Sequence, residues 1–409
     1  MAVLLFGLTH WLKKDKEVKS KIKNVLVLFH DTGIGDIICS LDLIKKLKLI
    51  YPKKDNYKIF IAVDKYIYSF LQRIHLEDEY NYIIISIGLK ERESFTLFKN
   101  NYNKLNQFQW DQVVSFVRIG GYFKSLIMGL ATNDYYLTEV ASKKGIIDFD
   151  FFLNRTLNNL HIYYFKDNEM FFPLFEKSIF LFSGKKLALE PPQITFESDL
   201  NKFQKQKYCI ISCGINIHHL YSCRSWLIEN FAEVIYYIQD NLDLHIILCG
   251  DQNDIERTKK LYSFLKNTNN VINMTGKTSF EEWIELTKNA EFVFGNDSGY
   301  IHLAAALGTQ AFVLMGFWNY GRFHPYQISN EKKNYKKPIL IHALRPDCAL
   351  CAYKRIIKND VKAQAAKHLC DEEVKKNSVY KCIGDIGVDS AISAIKNYCY
   401  DNNLLKKYH

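Results

Sequence analysis

The segment 295–308, "GNDSGYIHLAAALG", begins with small polar residues and continues as an apolar helix between two strand-like runs. Asp297 and Ser298 are residue types that cap helices, so capping is the simpler interpretation. The alternative is an anion site, because the free N–H groups at a helix N-terminus attract phosphate. Gly299 favours the anion site, since a glycine lets a ligand approach the backbone closely. His302 belongs either to that site or to the core, one turn into the helix.

A second polar segment, "DTGIGD" at 31–36, follows an apolar run and opens another helix. Gly33 and Gly35 permit a tight turn, and Asp36 lies where the helix begins. Asp36 is either a helix cap or a carboxylate able to take a proton from an acceptor hydroxyl. The spacing fits neither the dinucleotide fingerprint nor the phosphate-binding loop with its Gly-Lys-Ser/Thr ending.

Strand-like and helix-like runs alternate along the chain, which predicts an α/β fold with parallel sheets. The strand-like runs include 23–30, 57–64, 110–119, 207–214, 245–250 and 291–295. The pair Pro191-Pro192 marks a linker, so we expect two domains, 1–189 and 190–409. Both polar segments follow strands, and open α/β sheets bind ligands at the carboxyl ends of their strands. Two such halves facing each other predict a cleft with a site on each side.

The composition narrows the class of partner. The 409 residues are 48% hydrophobic and carry a formal net charge of +10, which suits phosphorylated ligands or an anionic membrane surface. Zinc-finger spacing and RNA-binding signatures are absent, so nucleic acid is not expected as a partner. No apolar run reaches the about 18 residues of a membrane span. Residues 1–21 are apolar first and basic afterwards, the reverse of a secretory signal. They form either an amphipathic foot on the inner face of a membrane or a helix packed on its own domain.

Three segments in order resemble the signatures of glycosyltransferase family nine, the heptosyltransferase-like enzymes of lipopolysaccharide assembly. They are "VLVLFHDTGIGDIICSLDLIKKLK", "RSWLIENFAEVI" and "GNDSGYIHLAAALGTQAFVLMG". The resemblance covers about residues 22 to 396. It implies the GT-B fold of two Rossmann-like domains, a nucleotide-sugar donor that is usually ADP-heptose, and transfer to an acceptor hydroxyl with inversion.

The same resemblance assigns roles to individual residues. It implies that Asp36 is the catalytic base and that Arg224 stands where the family has a lysine that neutralises the leaving phosphate. It further implies that the donor is held by a set of residues in the second domain, namely Asp297, Ser298, Gly299, His302, Asp254 and Gly214. Asp254 would contact the donor ribose, with Asp251 and Glu256 as close competitors. A helix N-terminus and an arginine can neutralise the diphosphate, so no catalytic metal is expected.

The acceptor side is less defined by sequence. Gly33 and Gly35 belong to it, and "RIGGYFKS" at 118–125 replaces the family's usual Asp-x-Gln-Gly pattern. Arg118 and Lys124 are either contacts to an anionic acceptor or solvated surface residues. We expect a cytoplasmic, membrane-peripheral enzyme with lipopolysaccharide core as acceptor. The alternatives are a protein O-heptosyltransferase acting on an autotransporter and a non-catalytic scaffold that binds the nucleotide-sugar.

Four of the ten cysteines are clustered in a loop-rich segment at about 345–385, ahead of a final helix expected to return toward the N-terminal domain. Cys348 and Cys351 form a C-x-x-C pair, and Cys370 and Cys382 follow. Two spaced thiol pairs fit a tetrahedral structural site for Zn or Fe. Free thiols and a redox pair are the alternatives. Upstream, the aromatic segment 316–326 is predicted to line the donor pocket.

Overall fold

The computed structural model describes residues 22–29, 33–85, 95–118, 126–127, 130, 132–140, 160–165, 171–197, 206–214, 224–316, 324, 326, 336–343, 370 and 379–406. The chain divides into two compact units, residues 1–189 and 190–409. The N-terminal segment 1–21, predicted as a membrane foot or a packed helix, lies outside the described residues.

The first unit contains a six-stranded parallel sheet in the order β3-β2-β1-β4-β5-β6. Its strands are β1 (Lys23–Leu28), β2 (Tyr57–Val63), β3 (Asn81–Ile84), β4 (Trp110–Arg118), β5 (Thr132–Val140) and β6 (Leu160–Phe165). Its helices are α1 (Ile34–Cys39), α2 (Leu41–Ile50), α3 (Lys65–Arg73), α4 (Phe95–Leu105) and α5 (Phe171–Ser183), with a 3-10 turn at Lys53–Asp55.

The second unit contains another six-stranded parallel sheet, in the order β12-β11-β10-β7-β8-β9. Its strands are β7 (Tyr208–Ser212), β8 (His245–Leu248), β9 (Val271–Asn273), β10 (Phe292–Asn296), β11 (Gln310–Leu314) and β12 (Ile339–Ile341). Its helices are α6 (Ile228–Asn241), α7 (Ile255–Phe264), α8 (Phe280–Asn289), α9 (Gly299–Leu307), α10 (Lys381–Gly384) and α11 (Val388–Asp401), with a 3-10 turn at Gln252–Asp254.

The central strands are continuous apolar runs because helices cover both faces of a parallel sheet. Every residue of β7, β10 and β11 is buried. One face of the second sheet packs against α6, α7 and α11, and the other packs against α8 and α9. The final helix α11 therefore contributes Ala391, Ile395 and Cys399 to the core of the second unit.

Local signals in the sequence set the ends of the helices that matter for the site. Ser279 begins α8 with a capping box, in which its Oγ accepts from the N–H of Glu282 and its own N–H donates to the Glu282 carboxylate. Helix α9 ends at Gly308, whose φ of 77° is the left-handed conformation that glycine adopts without strain.

Each sheet reverses its strand order once, between β1 and β4 in the first and between β7 and β10 in the second. In doubly wound sheets this reversal opens a crevice at the carboxyl ends of the two strands, where ligands bind. The fold-class prediction, two Rossmann-like α/β domains, is confirmed. No helix in the described part of the chain is both long and apolar enough to cross a membrane.

Candidate functional site

The N-terminus of α9 lies at the β7/β10 reversal and is not capped by its N-cap side chain. Ser298 is the N-cap residue, and its hydroxyl makes no capping hydrogen bond. The Ser298 Oγ is buried and has no hydrogen-bond partner among the described residues. The simpler interpretation of this segment is that its polar side chains cap the helix. For Ser298 that interpretation is therefore wrong. The start of α9 thus presents a buried hydroxyl beside its first N–H groups, and both can bind a ligand.

His302 lies one turn into α9 and is 5% exposed. Its Nδ1 is 2.9 Å from the hydroxyl of Tyr326, and its Nε2 is 3.7 Å from Oδ1 of Asp297. Burial lowers the pKa of His302, and the Asp297 carboxylate opposes that shift. Burial also lowers the pKa of His324 well below its ordinary value, and the neighbouring His302 lowers it further. Both imidazoles are therefore neutral at pH 7, which suits hydrogen bonding to a ligand.

Asp297, His302 and His324 form a cluster whose possible metal-ligating atoms all lie within 4.8 Å of one another. The two imidazoles, however, stack with their centroids 4.6 Å apart and their planes at 13°. A metal ion sits in the plane of each imidazole that binds it, along the nitrogen lone pair. Two nearly parallel rings direct those lone pairs along separate planes, so this geometry suits a stacked pair and not a metal centre.

Asn296, the last residue of β10, connects the start of α9 with the segment that carries Arg224. Its side chain is fully buried. Its Oδ1 accepts from the backbone N–H of Trp226 at 3.0 Å, and its Nδ2 donates to Ser225 Oγ at 3.0 Å. Arg224 precedes these two residues and is half-buried. The structure thus brings the segment bearing the predicted phosphate-neutralising arginine to the residue before Asp297.

Gly214 and Asp254, two predicted donor residues, lie against each other after the ends of β7 and β8. A Cβ on Gly214 would lie 2.1 to 2.2 Å from the Asp254 carboxylate atoms, so only glycine leaves room for this side chain. Asp254 is 8% exposed, and its Oδ2 accepts from the N–H of Asp251 at 3.0 Å. The competitor Glu256 is instead exposed and pairs with Lys259 at 2.8 Å.

In the first unit, Asp36 lies in the first turn of α1, after β1. Its Oδ2 accepts from the N–H of Gly33 at 3.0 Å, which engages one carboxylate oxygen in local capping. Gly35 lies within the same turn. Arg118 ends β4, so it shares the β1/β4 reversal with Asp36. Lys124 lies outside the described residues.

The predicted four-cysteine metal site falls largely outside the described part of the chain. Cys348 and Cys351 lie outside it, whereas Cys370 and Cys382 lie within it. Cys382 is 3% exposed and belongs to the apolar core of the second unit. The Zn or Fe site on these four cysteines stays a prediction.

Some residues of the site were not singled out by sequence reasoning. Asn296 stands in the recognised motif, but nothing in its type indicates that it bonds to a distant loop. His324 and Tyr326 fall in the aromatic segment predicted to line the donor pocket, and both pack against His302. Arg257 looks like one of several charges on a surface helix, yet it bonds to backbone carbonyls from two distant segments.

The profile of glycosyltransferase family 9 (heptosyltransferase) matches residues 174–348. The chain carries a glycosyltransferase family 9 domain. The resemblance inferred from the three sequence motifs is thereby confirmed. The matched region runs from α5 through β12 and includes Arg224, Asp254 and the start of α9, whereas Asp36 lies before it.

Solved structures with the same fold include a glycosyl transferase family 9 protein and two E. coli heptosyltransferases. The glycosyl transferase family 9 protein from Veillonella parvula matches with a TM-score of 0.62 at 13% identity, covering 94% of this chain and 100% of that one. The E. coli ADP-heptose LPS heptosyltransferase II matches with a TM-score of 0.59 at 16% identity, covering 93% and 100%. E. coli heptosyltransferase WaaC, solved with ADP-2-deoxy-2-fluoro heptose, matches with a TM-score of 0.51 at 16% identity, covering 86% and 99%. No curated protein sequence matches the chain. At these identities the structural likeness establishes the fold alone, which is the GT-B fold of two α/β units.

Proposed function

We propose that this protein is an inverting, metal-independent heptosyltransferase that moves heptose from ADP-heptose to a hydroxyl of lipopolysaccharide core. The observation that carries the proposal lies at the start of α9, at the β7/β10 reversal. There the N-cap hydroxyl of Ser298 is buried, makes no capping bond and has no partner in the described part of the chain. A diphosphate suits this place, since it accepts from backbone N–H groups and from a hydroxyl.

Departure of the nucleotide requires that charge on its diphosphate be neutralised in the transition state. In the proposed mechanism the dipole of α9 supplies part of this neutralisation and the guanidinium of Arg224 supplies the rest. His302, neutral at pH 7, donates or accepts a hydrogen bond at the donor. Asp254, which follows β8, holds the ribose. These groups replace a divalent cation.

An inverting transfer needs a base on the acceptor side. We assign this role to Asp36, whose carboxylate would take the proton of the acceptor hydroxyl as its oxygen attacks the anomeric carbon opposite the leaving diphosphate. Asp36 follows β1 and Arg118 ends β4, next to the reversal of strand order in the first sheet, and doubly wound sheets bind ligands at such reversals. A basic chain with a net charge of +10 suits an acceptor carried by an anionic membrane, so we place the enzyme at the cytoplasmic face of the inner membrane.

The test compares Asp36→Asn with the wild-type protein in a transfer assay and in ADP titration. The amide oxygen of the substituted side chain can still accept from the N–H of Gly33, so the fold of the turn is kept. We expect turnover to fall by about 100-fold or more, the usual contribution of a general base, with ADP affinity unchanged.

Asp42→Asn is the matched control, because Asp42 lies in the first turn of the neighbouring helix and pairs with Lys46 on that same helix. It should leave turnover as in the wild type. Wild-type turnover in Asp36→Asn would remove the base assignment. ADP binding without transfer from any sugar donor would favour the non-catalytic scaffold.

A further inference from the structure

The loop between β7 and α6 is described at its two ends, 213–214 and 224–227, and Arg224 lies in the second of them. The same two side chains form hydrogen bonds to both ends. Asn296 is the first of these side chains. Its Nδ2 donates to Cys213 O at 2.9 Å at the start of the loop, and its Oδ1 accepts from Trp226 N at 3.0 Å at the end. A longer contact of 3.3 Å joins the same Nδ2 to Gly214 O.

Arg257, on α7, is the second side chain that forms hydrogen bonds to both ends of the loop. Its Nε donates to Cys213 O at 2.8 Å, and its Nη2 donates to Trp226 O at 2.5 Å. Cys213 and Trp226 thus each bond to both Asn296 and Arg257. The planar fork of a guanidinium suits this task, since it directs two N–H groups at two carbonyls in fixed geometry.

Asn296 and Arg257 both lie close in sequence to residues of the proposed donor site. Asn296 directly precedes Asp297 at the start of α9, and Arg257 lies three residues after Asp254. Burial lowers the pKa of Arg257, and Cys213, Asp254 and Glu229 oppose that shift. The segment from Arg224 to Trp226, at the described end of the loop, is therefore bonded to the same elements that carry the other proposed donor contacts.

We propose that Asn296 and Arg257 are positioning residues that hold Arg224 against the donor diphosphate. The inference rests on the proposed function, in which Arg224 neutralises that diphosphate. Neither residue needs to touch the nucleotide. Their effect is to keep the backbone next to Arg224 in place, so that the position of the positive charge does not have to be rearranged on binding or during transfer.

The test is a double-mutant cycle read by calorimetric titration with ADP. Arg257→Lys keeps the charge, but a lysine ammonium lacks the fork that reaches both carbonyls. We expect it to weaken ADP binding by about tenfold when Arg224 is present, as coupled neighbours do. In an Arg224→Ala background the same substitution should change the affinity by less than about twofold, because no arginine remains to be positioned.

Tyr208→Phe is the control for general loss of a buried hydrogen bond. Tyr208 is 3% exposed at the other end of β7, and its hydroxyl donates to Leu286 O at 2.9 Å. It should leave ADP affinity unchanged in both backgrounds. If Arg257→Lys does not fold, Asn296→Ser takes its place in the double-mutant cycle. This substitution removes the hydrogen bonds of the Asn296 side chain to Cys213 O and Trp226 N.

The outcomes separate this inference from the proposed function. No ADP binding by the wild-type protein would overturn the proposed function. ADP binding that depends on Arg224, but falls by the same factor for Arg257→Lys in both backgrounds, would overturn the positioning role alone. A loss in Tyr208→Phe equal to that in Arg257→Lys would also overturn it, since a general structural effect would then explain both.

Discussion

The imidazole rings of His302 and His324 stack with their centroids 4.6 Å apart. Tyr326 contacts both histidines. Its ring centroid lies 4.7 Å from that of His324, and its hydroxyl forms a hydrogen bond with Nδ1 of His302. His324 is fully buried, and neither of its ring nitrogens has a hydrogen-bond partner among the described residues. His324 and Tyr326 thus support His302 through ring contacts, at the helix whose N-terminus we assign to the donor diphosphate.

The histidine pair makes stability depend on pH in a predictable direction. The pKa of both His302 and His324 is lowered in the folded protein, so below about pH 6.5 the unfolded chain binds protons that the folded chain does not. The free energy of unfolding should therefore fall as pH decreases from about 7 to about 5. His324→Phe should reduce that fall by up to about 2 kcal/mol.

Denaturant unfolding at several pH values measures this difference. Tyr208→Phe is the control, because it removes a buried hydroxyl that donates to Leu286 O instead of to a histidine and should keep the wild-type pH dependence. If the free energy of unfolding changes with pH equally in His324→Phe and in the wild type, His324 is protonated or solvated in the folded protein, which contradicts this prediction.

Two serines at helix N-termini should respond differently to the same substitution. Ser279 caps α8 through a hydrogen bond from the N–H of Glu282, so Ser279→Ala should lower the free energy of unfolding by about 1 kcal/mol. Ser298 makes no such bond at α9, so Ser298→Ala should leave stability unchanged or slightly raised. Ser298→Ala should instead weaken ADP binding, because the hydroxyl is assigned to the diphosphate.

Thermal unfolding and ADP titration of the two variants give the comparison directly. A stability loss in Ser298→Ala equal to that in Ser279→Ala would show that the hydroxyl serves the helix and not a ligand.

Gly214 keeps the space that the Asp254 carboxylate occupies. In Gly214→Ala the new Cβ would meet that carboxylate at 2.1 to 2.2 Å, so the side chain must move. We expect weaker ADP binding and a loss of about 1 to 3 kcal/mol in stability from overpacking. Gly387→Ala is the control, since its Cβ would meet Ser390 Oγ at 3.8 Å, an ordinary van der Waals contact. Unchanged ADP affinity in Gly214→Ala would exclude Asp254 from the donor site.

The sequence predicted the fold where local pattern and burial agree. The apolar runs of β1, β7 and β8 stand out because both faces of these strands are covered. Strand β5 was not predicted, since "TNDYYLTEV" mixes polar and aromatic residues in a way that only its pairing with β4 and β6 explains. The short β12 likewise depends on its pairing with β11.

The part of the candidate site that has a local sequence pattern was predictable, and the part that depends on distant contacts was not. The segment around Asp297 is recognisable from the change between small polar residues and an apolar helix. Arg257 gives no such signal, because the carbonyls that it contacts lie 44 and 31 residues away in the chain. The stacking of His302 on His324 depends in the same way on residues that are distant in sequence. Contacts of this kind become visible only when the sheet has brought distant segments together.

The most direct test of the account is calorimetric titration of the protein with ADP, UDP and GDP, repeated on Asp297→Ala. Asp385→Ala is the matched control, because that carboxylate pairs with Lys381 of α10 in an exposed ion pair. The account predicts preferential ADP binding that is lost in Asp297→Ala and kept in Asp385→Ala. Absence of binding by any of the three nucleotides, or equal binding in Asp297→Ala and wild type, would contradict a donor site at the start of α9.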